Sequence, residues 1–245
     1  VRVSNRPRLG SLAVAGALCL LLSGGLSACS VSDEQLRPGV AAQVGDTEVP
    51  LETIDDAIDD ACTFFSDQDQ PGFPRSLARQ QFVSVLIQRA AAGQALDDGG
   101  LALADTYDAA VGGLDEANAT VPEEQRDAFV LLGEATSYIE AAATSLGEAA
   151  FAAEGDVPPD PAVLVDRGRS VISAWLDDND VAINPVFRLT VDNGQVVAEL
   201  DGTSVAVSDA ATLGQLDPLT ATEDQVATAA ADLPESQLCG ASDQG

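Results

Sequence analysis

Forty aspartates and glutamates and 11 arginines carry the side-chain charge of this 245-residue chain, which has no Lys, His or Met and a formal net charge of −29. The missing residue types exclude much chemistry. Without imidazole there is no Ser-His-Asp or Cys-His centre and no His-ligated zinc. Without lysine there is no Schiff base, phosphate-binding P-loop lysine or Ser-x-x-Lys dyad. What remains is carboxylate-only catalysis or a metal held by oxygens. The acid clusters fit neither pattern. In "DQDQPGFPRSLA", Asp67 and Asp69 sit at calcium-loop spacing, but Pro71 takes the third ligand position and Ala78 the final one. "DDND", Asp177–Asp180, has no matching frame, and no carboxylate pair stands out for glycosidase chemistry. Asn118-Ala119-Thr120 is a glycosylation triplet by pattern alone. The expectation is no enzyme, no metal and no cofactor, with a carboxylate-only hydrolase as the remote alternative. All 40 acids follow Ala28, and that charge argues against nucleic acid and against electrostatic docking on anionic lipid as partners. Peptide binding needs an apolar groove between helices. Phe64, Phe73 and Tyr107, near predicted helix ends, are its candidate lining; completing the core is their other reading.

The thiols need their own account: Cys19, Cys29, Cys62 and Cys239. Arg2, Arg6 and Arg8 precede an apolar run, Leu12–Leu22, then "SGGLSA". A basic start, a short apolar core and small residues form the layout of a secretory signal, over residues 1–28. The run is shorter than the roughly 20 residues of a spanning helix. Leu26-Ser27-Ala28-Cys29 resembles the lipobox of bacterial lipoproteins. That resemblance implies cleavage before Cys29, a diacylglycerol on its thiol and often an acyl chain such as palmitate on the new amino group. Two or more chains anchor stably. The expected location is therefore the extracytoplasmic face of the cell membrane, held by lipid at Cys29. Cys19 then leaves with the signal, and Cys62 and Cys239 remain in a compartment that permits disulfides. They either form a bridge, whose connectivity is forced, or stay as two free buried thiols. Abundant Ala, Asp, Gly and Arg without Lys is the bias of a GC-rich genome, and an actinobacterial origin is the expectation.

Residues 29–39 read as the lipidated N-terminus and a polar tether. Val40–Val49 reads as two short strands about Gly45-Asp46. Leu51, Ile54, Ile58, Cys62 and Phe65 then recur at helical spacing, with aspartates between them. A second helix is predicted from Arg75 to about Leu96, ended by "DDGG". A third is predicted from Leu103 to Ala117, and a long one after Pro122 to about Ala153, with Ala128, Ala135, Ala142 and Ala149 seven apart. "EGDVPPDP" is the clearest internal boundary. Beyond it come a helix over Val163–Leu176, then alternation at Phe187, Leu189 and Val191, a hairpin at Asn193-Gly194, and a third strand at Val205–Val207. The tail from Thr220 reads as one more helix before Cys239.

"AAQVGDTEVPLETIDDAIDDACTFF" resembles the opening of SurA N-terminal-like chaperone domains: strand, turn, short strand, then a helix near an acidic residue. "SLARQQFVSVLIQRAAAGQALDDGG" is similar to their next helix. "INPVFRLTVDNGQVVAEL" is similar to a late strand segment of actinobacterial lipoproteins of this kind, which often carry Asn-Pro-Arg-Tyr-Gly; here Asn184, Pro185 and the aromatic Phe187 match. The resemblance implies a mainly α fold with a small antiparallel β element. Residues 40–155 form the SurA-like helical domain; residues 156–245 add a helix, a β-meander and a tail that packs back on it. A Cys62–Cys239 bridge fits that architecture. No parvulin isomerase module is recognisable. The implied function is a chaperone-like module that binds unfolded or exported polypeptides without isomerase activity. The alternative is a structural or scaffolding envelope lipoprotein with a specific protein partner.

Overall fold

A computed structural model describes residues 36–68, 70–157, 160–199, 216, 221–231 and 233–240. The signal segment, Cys29 and the predicted strand Val205–Val207 lie outside the described residues. Two strands open the fold, β1 (Val40–Val44) and β2 (Thr47–Pro50), paired antiparallel with Val44 opposite Thr47. Gly45 supplies the positive φ, 53°, that the tight turn needs. Helix α1 (Leu51–Asp67) follows and buries Ile54, Ala57, Ile58, Ala61 and Cys62 along one stripe. The brief strand β3 (Phe73–Pro74) leads into α2 (Arg75–Gly99), which stops where Gly100 turns left-handed at φ 59°.

The predicted helix over Leu103–Ala117 is corrected by the structure. It starts at Thr106 and breaks into α3 (Thr106–Val111) and α4 (Leu114–Ala117). Adjacent Gly112 and Gly113 weaken helix propensity there, and neither short helix buries a residue that would offset this. A 3₁₀ turn over Glu123–Gln125 then precedes α5 (Arg126–Glu154). The seven-spaced alanines Ala128, Ala135 and Ala142 are buried, which lets neighbouring helices come close.

Helix α6 (Pro161–Asp178) is N-capped by Asp160, whose carboxylate accepts from the Ala162 amide at 2.7 Å. It packs along α5 at near-contact of the backbones. A Cβ placed on Gly168 would lie 1.7 Å from the Ala143 carbonyl oxygen; one on Gly147 would lie 2.1 Å from that of Leu164. Glycine is the only residue that fits either position.

After α6 comes β4 (Val181–Ile183), which the sequence reading does not foresee. It pairs antiparallel with β1, placing Ile183 opposite Ala42, and the sheet order is β2-β1-β4. Phe187 is also corrected, since it belongs to a 3₁₀ turn, Pro185–Phe187, rather than to an alternating strand. Asn184 caps that turn through its Oδ1, and Pro185 fits its first position. The hairpin of β5 (Leu189–Asp192) and β6 (Gln195–Ala198) then forms about Asn193-Gly194. Helix α7 (Glu223–Ala230) opens with a capping box of Thr222 and Gln225. Finally β7 (Leu238–Cys239) pairs with β3. The fold is mainly helical with small antiparallel sheets. Helices α5 and α6 belong to one compact unit. Among the described residues, no helix is long and apolar enough to cross a membrane.

Candidate functional site

Cys62 lies in the buried stripe of α1, and the pairing of β7 with β3 carries Cys239 to it. The two are joined as a disulfide with Cα atoms 4.3 Å apart and a sequence separation of 177. Both are buried. Phe73 stands opposite Cys239 in the strand pair, and Pro74 opposite Leu238. Gly240 follows at φ 94°, packed so that any side chain would meet the Gln70 and Pro71 carbonyls. The bridge thus fixes the tail against the start of α2.

The candidate aromatics separate into two groups. Phe64 and Phe73 belong to one edge-to-face cluster with Phe65 and Phe129: Phe64–Phe129 centroids are 5.0 Å apart and Phe65–Phe73 centroids 5.4 Å. Tyr107 instead meets Tyr138 edge-on at 5.7 Å, with Arg89 over the Tyr138 ring. The structure therefore does not bring the three into one groove. All three are partly buried, and Phe73 packs directly on the core, as a core-completing ring does. Burial and the Asp97 and Tyr107 charges push the Tyr138 hydroxyl above its ordinary pKa, with Arg89 pulling the other way.

The acidic stretches behave as solvated surface. Asp67 accepts a hydrogen bond from Gln125 at 3.2 Å, and Asp177, Asp178 and Asp180 are exposed. No group of three metal-ligating side chains occurs among the described residues. Asp60, on α1, is shifted above the ordinary carboxylate value by desolvation first and by Asp127 and Asp56 second.

The most distinctive chemistry lies at the start of α2, where a cavity of about 360 Å³ opens between that helix, the Pro185–Phe187 turn and the tail. Arg75 and Arg79, four residues apart on α2, face Asp59 and Asp55, four residues apart on α1, and each forms an ion pair with its opposite number. Arg79 also lies over the Phe187 ring, 5.4 Å from its centroid. Buried Gln80 donates from Nε2 to the Phe187 carbonyl at 2.9 Å, fastening the turn to the helix. The next residue, Arg188, is exposed, takes the left-handed conformation at φ 51°, and completes the cationic lining. Leu233, Ser236 and Gln237 of the tail close the far side. A second cavity of about 350 Å³ lies by the β5–β6 hairpin. Its one arginine, Arg169, already pairs with Glu140 and Asp166.

The sequence reading does not single out Arg75, Arg79 or Arg188. Its available signal was the i, i+4 spacing of the first two in a chain so poor in cations. Compared with protein-family models, curated proteins and solved structures, the chain matches none.

Proposed function

We propose that this protein is an extracytoplasmic module, anchored by lipid at Cys29, that binds unfolded or exported polypeptides and lacks isomerase activity. The observation that carries the reading is the returning tail. A strand–turn–strand–helix opening at Val40–Asp67 leads to the long helix Arg75–Gly99, and Cys239 comes back to the first helix through its disulfide. That order of elements is what the resemblance of residues 40–155 to SurA N-terminal-like domains implies. The half-open cavity between α2 and the tail supports it, because its wall mixes apolar and polar groups suited to a short chain segment.

The experiment is light scattering of a chemically denatured client diluted into buffer with and without the protein. Suppression at near-stoichiometric ratios is expected. Absence of both suppression and peptide binding sinks the reading. A single stoichiometric envelope partner in crosslinked pull-downs, instead of varied clients, replaces it with the scaffolding alternative.

A further inference from the structure

We propose that the arginine-lined cavity at the start of α2 binds the carboxylate of an organic acid that carries an apolar group beside it. Acids heavily outnumber arginines after Ala28, so partners for a guanidinium are plentiful. Arg37, Arg75, Arg79, Arg167 and Arg169 all have one, and of the others Arg126 donates to the Val121 carbonyl and Arg89 lies over the Tyr138 ring. The Arg188 guanidinium has no partner of any of these kinds among the described residues, although it is exposed and borders a cavity. It is also held in a backbone conformation that non-glycine residues rarely adopt. The Asn184 cap and the Gln80 hydrogen bond hold the turn that presents it. Strain imposed from several sides points to a role for the strained residue.

Charge selects the ligand class. Three guanidinium groups line the cavity, and the carboxylates of Asp55 and Asp59 neutralise two of them. One positive charge remains, which a single carboxylate balances; a phosphate dianion would overshoot it in an already strongly negative protein. Donors are available around that charge. Arg79 Nε is buried without a hydrogen-bond partner among the described residues, and Ser76, Ser236 and Gln237 add hydroxyl and amide groups. A guanidinium fork suits the two oxygens of a carboxylate. Phe187, Leu233 and Val186, the last 60% exposed, supply the apolar side. Both a polypeptide's C-terminal residue and a free small acid carry this chemistry. The site's chemistry does not depend on the chaperone reading.

The test is isothermal titration of the full chain in detergent micelles with N-acetyl-phenylalanine as free acid, with its amide, and with inorganic phosphate. The free acid is expected to bind saturably and the amide about tenfold or more weakly, since a charge-assisted hydrogen bond is lost. Arg188→Gln, at an exposed position, is expected to keep the circular dichroism spectrum and to weaken the acid to a similar degree. Arg169→Gln, at the second cavity, is expected to leave it unchanged. A tripeptide ending in phenylalanine that binds more tightly than the capped residue identifies the polypeptide source; equal affinity identifies the free acid. Equal binding of acid and amide, no binding of the acid, displacement of the acid by equimolar phosphate, or an unaffected Arg188→Gln would overturn the proposal. Suppressed client aggregation alongside any of those results removes this site and leaves the chaperone reading standing.

Discussion

Substituting Gly168 by alanine pits helix propensity against backbone packing, and the structure says packing wins. Alone, the change should stabilise α6 by about 1 kcal/mol, the usual helix advantage of alanine over glycine. The new methyl group, however, would sit 1.7 Å from the Ala143 carbonyl oxygen, 2.5 Å from its carbon and 2.7 Å from its Cα. Those are main-chain atoms inside α5 and cannot swing aside as a side chain can. Reaching ordinary contact requires the two helices to part by about 1.7 Å, the difference between 3.4 Å and the built distance. Overpacking of this kind costs about 1–3 kcal/mol. Parting the helices also loosens Leu146, Leu164 and Ile172, all buried at or near the seam. A gap of 0.5–1 Å forfeits roughly a quarter to a half of a dispersion contact. With burial worth about 1.5–3 kcal/mol for each side chain, a quarter lost from three adds about 1–2 kcal/mol. The net expectation is a destabilisation of about 2–3 kcal/mol, or a fall in Tm of about 5–10 °C for a domain of this size. Thermal and urea melts followed by far-ultraviolet circular dichroism would measure it, with Gly113→Ala as the control. Gly113 has φ −92° and its added methyl would find its nearest atom at 3.6 Å, so that variant should be neutral or slightly stabilised. If Gly168→Ala melts at or above the wild-type temperature, the close-packed α5–α6 seam is wrong.

Three further outcomes follow from the disulfide, the acidic helix and the anchor. Cys62→Ser should lower the urea midpoint by the equivalent of up to about 5 kcal/mol, the loop-entropy figure for so long a loop; labelling of both thiols in the non-reduced wild type would refute the bridge. Asp60 has a folded-state pKa raised above 3.8 by desolvation, Asp127 and Asp56. Its contribution to stability is therefore present below that value and lost as pH rises through the folded pKa. Asp60→Asn should flatten this part of the stability–pH profile and leave the neutral-pH protein at least as stable, and an unchanged profile in urea melts across the acid range would contradict the cause assigned. Cys29→Ser should abolish metabolic labelling by fatty acid and move the protein from the membrane fraction to the soluble one, as loss of two or more acyl chains requires; retained labelling would disprove lipidation at that cysteine.

Local signals in the sequence were legible where one residue's backbone preference decided the outcome. Gly45, Gly100 and Gly194 all take positive φ at the turn or helix end where their neighbours predict it. Gly194 is doubly constrained, because any side chain there would also strike the Ser173 carbonyl at 2.1 Å. The stripe containing Cys62 was legible for a related reason, since a 3.6-residue period shows which positions share a helix face. What was not legible depended on distant partners. Val181–Ile183 is three residues long and carries no periodicity of its own; it is a strand because β1 offers an open edge. Phe187 continues an alternating pattern with Leu189 and Val191, but capping by Asn184 and the hydrogen bond from Gln80 outweigh that pattern and curl it into a turn. The glycine pair at Gly112-Gly113 was readable in principle as a break within the helix predicted over Leu103–Ala117.

The same distinction explains why the cysteine pair could be read from the chain and the arginine cavity could not. Counting thiols needs no geometry once Cys19 and Cys29 are assigned to export and lipid. The cavity assembles three separate stretches: the first turns of α2, the turn fastened to Gln80 across 107 residues, and the Leu233–Gln237 wall. Cys239 lies two residues beyond Gln237, so the disulfide that closes the fold also holds that wall in place. Arg75 and Arg79 are different. Their ion pairs to Asp59 and Asp55 join α1 to α2 without the tail. Cutting the bridge therefore frees the tail-side wall of the cavity while leaving two of its three arginines positioned. The architecture makes the closing disulfide a support for the cavity, with the cationic side anchored independently of it.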